Sequence, residues 1–324
     1  MRILITGGAG FIGSAVAKAL MDRGDFPILI DNFNDYYDPK LKRDRIGVFL
    51  GDYAGKFSLY EGDIRDRTFL GDVFGSEKPE KVIHLAAMAG VRYSLERPEL
   101  YADVNMMGTL NMLECARNSG VLNFVYASSS SVYGENEKVP FSESDPVDHP
   151  VSVYAATKKS TELLANVYSH VWGLHTTGLR FFTVYGPWGR PDMGVFKFVA
   201  NIVEGRPIDV YNGGEMRRNF TYIDDIVSGT LVTLDADLPC DVMNIGGDRD
   251  EALMDYIAAV ERHAGRKAET NMLPMQRGDV TRTVADISKL RALGWAPSTR
   301  IDDGIARFVE WYRSYYSPRV SGDV

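Results

Sequence analysis

The feature that most constrains this fold is a glycine-rich turn near the start of the chain. Residues 3–20 read ILITGGAGFIGSAVAKAL, which holds Gly8-x-Gly10-x-x-Gly13, and equally Gly7-x-x-Gly10-x-x-Gly13, between an apolar strand and a helical pattern. Glycines let the backbone turn tightly, approach a pyrophosphate and direct the amides of a helix N-terminus towards it. The alternative is a glycine-rich turn without a ligand. The strand–turn–helix context favours a dinucleotide site in an α/β fold.

The first half of the chain alternates short apolar runs with amphipathic helical patterns. The clearest helix covers residues 98–119, where Leu100, Val104 and Met107 recur at helical spacing before Gly120. This alternation predicts a Rossmann-type, doubly wound parallel sheet. Strands are predicted at 2–6, 27–31, 57–61, 81–85, 123–128 and 176–181.

The rhythm changes after about residue 186, where loops rich in Gly, Pro, Asn and Asp separate shorter segments. We therefore predict a dinucleotide-binding domain over residues 1–185 and a smaller C-terminal substrate-binding domain over residues 186–324. The boundary is soft, because the segment VMNIG at 242–246 suggests that the chain returns to the sheet.

Composition excludes several classes of function. The 324 residues are 45% hydrophobic, with a net charge of −8 and interspersed signs, which is untypical of proteins that bind nucleic acids or membranes. Two cysteines and five scattered histidines predict neither a disulfide framework nor a metal site. The chain opens directly into the strand MRILIT, and no apolar run approaches the ~18 residues that span a bilayer. We expect a soluble, cytoplasmic protein.

Acidic residues follow two of the predicted strands. Asp31 ends the second apolar run, where a carboxylate can accept hydrogen bonds from the adenosine ribose hydroxyls. The same charge repels a 2′-phosphate, which favours NAD over NADP; the alternative for Asp31 is a cap. Asp63-Ile64 would flank the adenine, although Gly-Asp is also ordinary turn chemistry.

A Tyr-x-x-x-Lys pair opens a helical stretch beyond the fifth predicted strand. Tyr154 and Lys158 lie on one helix face, being four residues apart. Tyrosine normally titrates near pH ~10, and keeping it ionised near neutrality asks for roughly 4 kcal/mol, which two close cations can supply in a dry site. The serine run 128–131 ends the fifth strand, where a ligand crevice is expected. At least one of these serines is predicted to hydrogen-bond a reacting hydroxyl, the alternative being a turn.

Six segments carry a family resemblance: TGGAGFIG, DNFNDYYDPKLKRDR, VIHLAA, SSSSVYG, YAATK and RFFTVYGPWGRPDM. In this order they resemble the extended short-chain dehydrogenases that act on nucleotide sugars, most closely UDP-glucuronate 4-epimerases, over essentially the whole chain. The resemblance implies tightly held NAD and a UDP-uronic acid substrate, inverted at carbon 4 through a 4-keto sugar.

The matched motifs imply individual roles. Tyr154 would be the base, Lys158 would lower its pKa and bind the nicotinamide ribose, and Ser129 would bridge tyrosine and substrate. Ser128 and Ser130 would lie close to the substrate. Together with Gly13 of the glycine motif, the implied NAD contacts are Gly7, Gly10, Phe11, Ile12, Asp31, Asn32, Asp63, Ile64, Leu85, Ala86, Ala87 and Asn105.

Arg190 is predicted to bind the carboxylate of the substrate. It lies between Gly189 and Pro191, and a guanidinium fixes the plane of a carboxylate through two hydrogen bonds. A uronic acid oxidised at carbon 4 is a β-keto acid that readily loses carbon dioxide, so an epimerase must hold its carboxylate. The alternative is an arginine that pins its own loop. Thr183 is implied as a hydroxyl partner.

Other residues are candidates for the rest of the substrate. Arg92 is a second candidate for the carboxylate or a phosphate, with a surface salt bridge as the alternative. The alignment of motifs places Arg218 on the pyrophosphate. Nearer the uridine, the candidates are Met193, Gln276, Asp279 and Arg282, of which Met193 is equally well plain core.

Rival functions stay open at this point. A UDP-glucuronate decarboxylase shares the first oxidation but releases carbon dioxide, and a UDP-glucose 4-epimerase lacks the carboxylate; Arg190 and Thr183 argue against both. Dehydratases of the family carry Thr-Asp-Glu where this chain has three serines. A non-catalytic NAD-binding regulator would not need Tyr154 and Lys158. A homodimer is expected through a four-helix bundle of helices 98–119 and 154–172, as in this family.

Overall fold

The computed structural model describes residues 1–275 and 280–316, and strands and helices alternate regularly over its first half. The strands are β1 Arg2–Thr6, β2 Phe26–Asp31, β3 Ser58–Glu61, β4 Lys81–His84, β5 Asn123–Ser129, β6 His175–Phe181, β7 Thr183–Tyr185, β8 Ile208–Tyr211, β9 Arg217–Arg218, β10 Phe220–Tyr222, β11 Cys240–Ile245, β12 Glu251–Ala252, β13 Thr270–Leu273 and β14 Arg282–Thr283. The α-helices are α1 Phe11–Asp22, α2 Pro39–Asp44, α3 Arg67–Glu77, α4 Val91–Glu96, α5 Pro98–Tyr101, α6 Gly108–Asn118, α7 Val153–Trp172, α8 Gly194–Glu204, α9 Ile223–Ala236, α10 Leu253–Ala264, α11 Ser288–Ala292 and α12 Ile301–Tyr316.

Seven parallel strands form the central sheet, in the order β11-β6-β5-β4-β1-β2-β3. The chain winds outwards from β1 to β3 and then returns to place β4 on the other side of β1. Ligands of doubly wound sheets bind beyond the carboxyl ends of the strands where the winding reverses, which here is between β1 and β4. The predicted Rossmann-type sheet is confirmed, and the ends of the six predicted strands differ by one residue at most.

Apolar side chains fill both faces of this sheet. Within β1, Ile3 and Ile5 are fully buried in one cluster and Leu4 in the other, because side chains alternate along a strand. Helices α1 and α9 cover the first face, and α3, α6 and α7 cover the second. Burial on both faces explains why the strands are continuous apolar runs in the sequence.

Helix α7 places the tyrosine–lysine pair. It begins where the Ser152 Oγ accepts a hydrogen bond from the Ala155 amide at 3.1 Å, and it ends at Gly173 in the left-handed conformation. One face, which includes Lys158, is buried against the sheet. The other face leaves Leu163, Val167 and Val171 exposed, at 56%, 46% and 58%.

The predicted helix over 98–119 is present but interrupted. A π-helical turn, Ala102–Met107, joins α5 to α6 and carries the buried Asn105. Such turns frequently occur at functional sites, because they redirect side chains out of the regular helical register.

The second half of the chain is interleaved with the first. Strand β11 pairs in parallel with β6 along the edge of the main sheet, so the chain rejoins that sheet at Cys240. Three small sheets lie outside it, formed by β7 with β10, by β12, β9 and β14, and by β8 with β13. The division into domains near residue 185 stays a prediction.

Candidate active site

The glycine loop after β1 has no room for side chains. A Cβ at Gly13 would lie 2.1 Å from the carbonyl oxygen of Gly7, and a Cβ at Gly7 would lie 3.0 Å from the amide nitrogen of Ala86. Gly7 also has a φ of +69°, which favours glycine. Gly10 caps α1, so Phe11 and Ile12 open that helix. This bare backbone at a helix N-terminus fits a dinucleotide pyrophosphate.

Asp31 lies at the carboxyl end of β2, beside that loop. Its carboxylate accepts hydrogen bonds from the Ala9 amide at 3.1 Å and the Phe33 amide at 2.9 Å. Lys42, which the sequence did not single out, pairs with Asp31 at 3.3 Å, and both side chains are buried. The carboxylate therefore fixes the glycine loop from the predicted ribose position.

Asn32 and Asp63 are joined across the ends of β2 and β3. The Asn32 amide donates to Asp63 at 2.9 Å, and Arg65 forks onto Asp63 through Nε and Nη2, both at 2.9 Å. These bonds, led by that of Arg65, lower the pKa of Asp63 to about 2. Ile64 is buried, and its side chain occupies the space that a Cβ at Gly108 would need.

The segment after β4 lies across from the glycine loop. Its Leu85, Ala86 and Ala87 are half-buried, and the Ala86 amide donates to Thr6 Oγ1 at 3.1 Å. The Asn105 amide accepts from Met88 N at 2.8 Å and donates to Met88 O and Thr157 Oγ1, each at 3.0 Å. Asn105 thus uses its amide to hold this segment against α7, and its predicted contact with NAD stays a prediction.

Tyr154, Lys158 and Ser129 form a cluster at the carboxyl end of β5. The Lys158 Nζ donates to the Ala127 carbonyl at 2.9 Å and lies 6.0 Å from the centre of the Tyr154 ring. Burial raises the pKa of Tyr154, while a hydrogen bond with Ser129 and the charge of Arg190 act to lower it. Burial and the charge of Arg190 lower the pKa of Lys158 to about 8. The cluster can exchange a proton at the tyrosine oxygen if a further cation stabilises tyrosinate.

Arg190 brings its charge to this cluster from the loop between β7 and α8. Its Nε and Nη2 donate to the two carboxylate oxygens of Asp192 at 3.1 and 2.6 Å. Burial acts to lower the pKa of Arg190, but Asp192 outweighs it and raises that pKa. The pairing within the loop was one of two alternatives for Arg190. The charge of Arg190 also acts on the pKa values of Tyr154 and Lys158, so pairing with Asp192 is compatible with a role in binding an anion.

Ser128 points away from the cluster, which corrects the prediction that it lies against the substrate. Its hydroxyl donates to Glu162 Oε1 at 2.6 Å, and Arg180 pairs with Glu162 at 2.8 and 2.9 Å, all of them buried. Side chains alternate along β5, so Ser128 faces α7 at the level of Glu162, one turn beyond Lys158, while its neighbour Ser129 bonds Tyr154. Ser130 opens the 3₁₀ turn Ser130–Tyr133 and is half-buried.

Thr183 and Met193 border the loop of Arg190. Thr183 begins β7, is half-buried, and donates its amide to the Asn219 carbonyl at 3.2 Å. The Met193 amide donates to the Arg190 carbonyl at 3.2 Å, and its side chain packs against the core.

The other predicted arginines make contacts of their own. The Arg92 guanidinium lies 5.4 Å from the centre of the Tyr211 ring. Arg218 donates to the carbonyls of Val280 at 2.7 Å and Thr281 at 3.1 Å. Arg282 pairs with Asp250 at 2.7 Å. Gln276 and Asp279 lie outside the described residues.

A chain of aromatic rings, to which the sequence assigned no role, connects the Arg190 loop with Tyr154. The Arg190 guanidinium lies 6.0 Å from the ring centre of Tyr36, which lies 5.3 Å from that of Tyr93. Tyr93 lies 6.3 Å from Tyr101, which lies edge-on to Tyr154 at 6.2 Å. Tyr36 lies in the motif DNFNDYYD, which was the sequence signal that could have indicated a role for this tyrosine.

Residues 1–275 and 280–316 contain neither a candidate membrane helix nor a candidate metal site. In these ranges no helix combines the length and the apolar character that a membrane crossing requires. Nor does the described part of the chain group three or more His, Cys, Asp or Glu side chains around a position for a metal ion.

Comparison with known proteins decides the family. The family described as GDP-mannose 4,6 dehydratase matches residues 4–308. A probable UDP-glucuronate 4-epimerase of Rhizobium meliloti (strain 1021) is 47% identical, and the match covers 98% of each chain. The chain belongs to the extended short-chain dehydrogenases. This membership confirms the resemblance carried by the sequence motifs.

Further members of this short-chain dehydrogenase family match at similar coverage. UDP-glucuronate 4-epimerase 1 of Arabidopsis thaliana is 46% identical over 98% of this chain and 77% of the relative. The solved UDP-glucuronic acid 4-epimerase from Bacillus cereus, in complex with UDP-glucuronic acid and NAD, has a TM-score of 0.91 and 33% identity, covering 98% of this chain and 100% of that chain. A UDP-glucose 4-epimerase of Thermus thermophilus, in complex with NAD, has a TM-score of 0.88 and 31% identity over 97% and 100%.

Proposed function

We propose that this protein is an NAD-dependent epimerase that interconverts UDP-glucuronate and UDP-galacturonate through a 4-keto sugar. The observation that carries the proposal is that Asp192 fixes the Arg190 guanidinium at 3.1 and 2.6 Å, at the end of the row of tyrosines that leads to Tyr154. A guanidinium on this side of the proton-transfer group suits a substrate that carries a carboxylate next to the reacting carbon. Relatives named UDP-glucuronate 4-epimerase support the same substrate.

Tyr154 is the proton-transfer residue in this proposal. The loop of Gly7, Gly10 and Gly13 at the N-terminus of α1 would hold the pyrophosphate of NAD, which would supply the hydride acceptor and donor for sugar carbon 4. Tyr154 takes the proton of the 4-hydroxyl as that carbon is oxidised and gives it back when the carbon is reduced. Lys158 stabilises the ionised tyrosine, and Ser129, which hydrogen-bonds Tyr154, bridges it to the sugar hydroxyl.

Arg190 holds the carboxylate in this proposal. The 4-keto uronic acid loses carbon dioxide when the bond between carbons 5 and 6 lies parallel to the π orbitals of the ketone, so holding the carboxylate in place keeps that bond out of this alignment. Asp192 accepts from the edge of the guanidinium formed by Nε and Nη2, and the edge formed by Nη1 and the second hydrogen of Nη2 is left to the substrate. Thr183 and Ser130 are proposed as further hydroxyl partners.

In this proposal, residues of the second half of the chain bind the pyrophosphate and the nucleotide of the substrate. Arg218 is assigned to the pyrophosphate and Arg282 to the nucleotide, with Arg92 as a second candidate for an anionic group. Met193 is assigned to the uridine site. Asp279 keeps its predicted place near the uridine on the strength of the motif alone.

A homodimer is part of the proposal. Leu163, Val167 and Val171 recur every four residues on α7 and form an exposed apolar stripe, with Met107 exposed on the adjoining π turn. Two copies of α7 and of the helical segment 98–118 would bury these side chains as a four-helix bundle. Replacing Leu163 and Val167 by glutamate should yield a monomer in light scattering, and an unchanged mass would contradict the bundle. A cytoplasmic location stays a prediction made from the sequence.

The direct test supplies UDP-glucuronate to the purified protein without added cofactor and resolves the nucleotide sugars by chromatography and NMR. UDP-galacturonate with little carbon dioxide is the expected product. A 4-keto pentose or UDP-xylose would establish a decarboxylase instead. Turnover of UDP-glucose but not UDP-glucuronate would establish a UDP-glucose 4-epimerase.

A further inference from the structure

Arg45 makes an unusual set of contacts for a fully buried cation. It lies in the π-helical turn Arg45–Phe49, which follows α2, and has no exposed surface. Its nitrogens form five hydrogen bonds, all to uncharged oxygens: Trp188 O at 3.0 and 2.7 Å, Gly189 O at 3.1 Å, Ala9 O at 3.1 Å and Tyr37 Oη at 2.7 Å. A guanidinium has five N–H groups, so this set uses its full donor capacity.

Three of these bonds hold the loop that carries Arg190. Trp188 has a φ of +62°, a left-handed conformation that is unfavourable for a residue with a side chain. The two bonds from Arg45 to its carbonyl stabilise that conformation. The Gly189 carbonyl belongs to the peptide unit that leads into Arg190. Fixing that carbonyl therefore fixes the backbone plane from which the Arg190 side chain starts.

The remaining bonds tie this arrangement to the cofactor side. Arg45 Nη1 holds the Ala9 carbonyl in the glycine loop, while Asp31 holds the Ala9 amide at 3.1 Å. One guanidinium thus connects the loop after β1 with the loop after β7, although residues 45 and 188 are 143 positions apart. Tyr37, of the motif DNFNDYYD, is the fourth partner and accepts the fifth bond.

We propose that Arg45 is a positioning residue that holds Arg190 on the substrate carboxylate and so keeps the epimerase from acting as a decarboxylase. The inference rests on the proposed function. If the loop loosens, the carboxylate is no longer held. The bond between carbons 5 and 6 can then align with the π orbitals of the ketone, and it breaks. Its electron pair enters the enolate of the 4-ketone, carbon dioxide leaves, and carbon 5 takes a proton from water. Carbon 4 stays a ketone in this product, and NAD held on the glycine loop would be the oxidant that has accepted its hydride.

The test measures the fraction of turnovers that end in carbon dioxide and a 4-keto pentose, relative to UDP-galacturonate. This fraction does not depend on how much of a preparation is folded. Arg45→Met should raise it about tenfold, which corresponds to ~1.4 kcal/mol. Arg45→Lys, which keeps the charge but not the fork, should raise it less and serves if the methionine variant fails to fold. The matched control is Arg180→Lys, a buried arginine that pairs with Glu162 and should keep the wild-type fraction.

Two further measurements locate the effect. Calorimetric binding should show that Arg45→Lys loses affinity for UDP-glucuronate but keeps its affinity for UDP-glucose, which has no carboxylate. A double variant of Arg45→Lys with Arg190→Met should release no more carbon dioxide than Arg190→Met alone, because one residue acts through the other. An unchanged fraction in Arg45→Lys, or effects that multiply in the double variant, would overturn the inference. A wild type that makes no UDP-galacturonate would overturn the proposed function, and this inference with it.

Discussion

The Nζ of Lys158 lies 6.0 Å from the centre of the Tyr154 ring, in a site where burial acts against the charged form of both side chains. Burial raises the pKa of Tyr154 and lowers that of Lys158 to about 8. The unliganded site therefore does not favour an ion pair of tyrosinate and ammonium. An additional cation next to the tyrosine, such as an oxidised nicotinamide, lowers the pKa of Tyr154 and so favours tyrosinate.

Tyr154→Phe should lower kcat by roughly 10²–10⁴, because it removes the group that transfers the proton. Affinity for UDP should be unchanged, since the proposal gives Tyr154 no contact with the nucleotide. Steady-state kinetics and calorimetry measure the two quantities. Tyr168→Phe is the matched control on the same helix, where the hydroxyl bonds Glu114. Comparable kcat values for the two variants would remove Tyr154 from the mechanism.

The pH dependence of kcat should move when Ser129 is changed. The base must be ionised, so the rate falls as pH drops through the pKa of Tyr154. The hydrogen bond from Ser129 lowers that pKa, and Ser129→Ala should therefore shift the acidic limb of the profile to higher pH. Ser128→Ala should leave that limb in place, because its hydroxyl bonds Glu162, two turns along α7 from Tyr154. Profiles that shift alike would mean that the serines act through stability alone.

Arg190→Lys should raise KM for UDP-glucuronate by about tenfold or more, because a lysine cannot replace a two-point, charge-assisted contact. The share of carbon dioxide among the products should rise with it. Arg23→Lys, in a surface ion pair with Asp25, provides the control. Wild-type KM and product ratio in Arg190→Lys would show that the guanidinium serves only its own loop.

Asp31→Asn should admit NADP. The substitution removes the charge that repels a 2′-phosphate and releases Lys42 from its ion pair, leaving a cation at the ribose position. We expect the ratio of NADP to NAD among the nucleotides released on denaturation to rise about tenfold, ~1.4 kcal/mol, and mass spectrometry measures that ratio. Asp35→Asn, an exposed acid of the same segment, should keep the wild-type ratio. Exclusive NAD in both variants would show that the pocket excludes the phosphate sterically.

The buried pair of Arg180 and Glu162 should dominate stability on that side of the sheet. Arg180→Met leaves an uncompensated buried carboxylate and should cost ~3–5 kcal/mol in urea unfolding at neutral pH. The exposed pair of Lys18 and Asp22 is the control, and Lys18→Met should cost less than ~1 kcal/mol. Equal costs would contradict the role of the buried pair.

The same pair predicts an acid dependence. Burial raises the pKa of Glu162, but Arg180 and Ser128 outweigh it and hold that pKa below its usual value. A depressed carboxyl stabilises the fold above the pKa of the unfolded chain, and this stabilisation is lost as pH falls through the folded pKa. The loss of stability on acidification should therefore be smaller in Glu162→Gln than in wild type.

Local pattern was enough to predict the glycine loop, the six strands and the face shared by Tyr154 and Lys158, because each depends on residues that are close in sequence. The orientation of Ser128 was missed because it depends on β5 continuing through Ser129, a one-residue question of register. The engagement of Asn105 by Met88 and Thr157 depends on how the π turn packs on α7. Arg45 lies in the motif DNFNDYYDPKLKRDR, but the motif did not predict its role. Its partners Trp188 and Gly189 belong to a loop that is distant in sequence and that only the tertiary fold brings near.

The most direct measurement follows deuterium placed at carbon 4 of UDP-glucuronate during conversion by the purified protein in ordinary water. The proposed mechanism predicts UDP-galacturonate that keeps its deuterium at carbon 4, since that carbon is oxidised and reduced within one closed site. Product that carries a solvent hydrogen at carbon 4, or a 4-keto pentose as the main product, would contradict it.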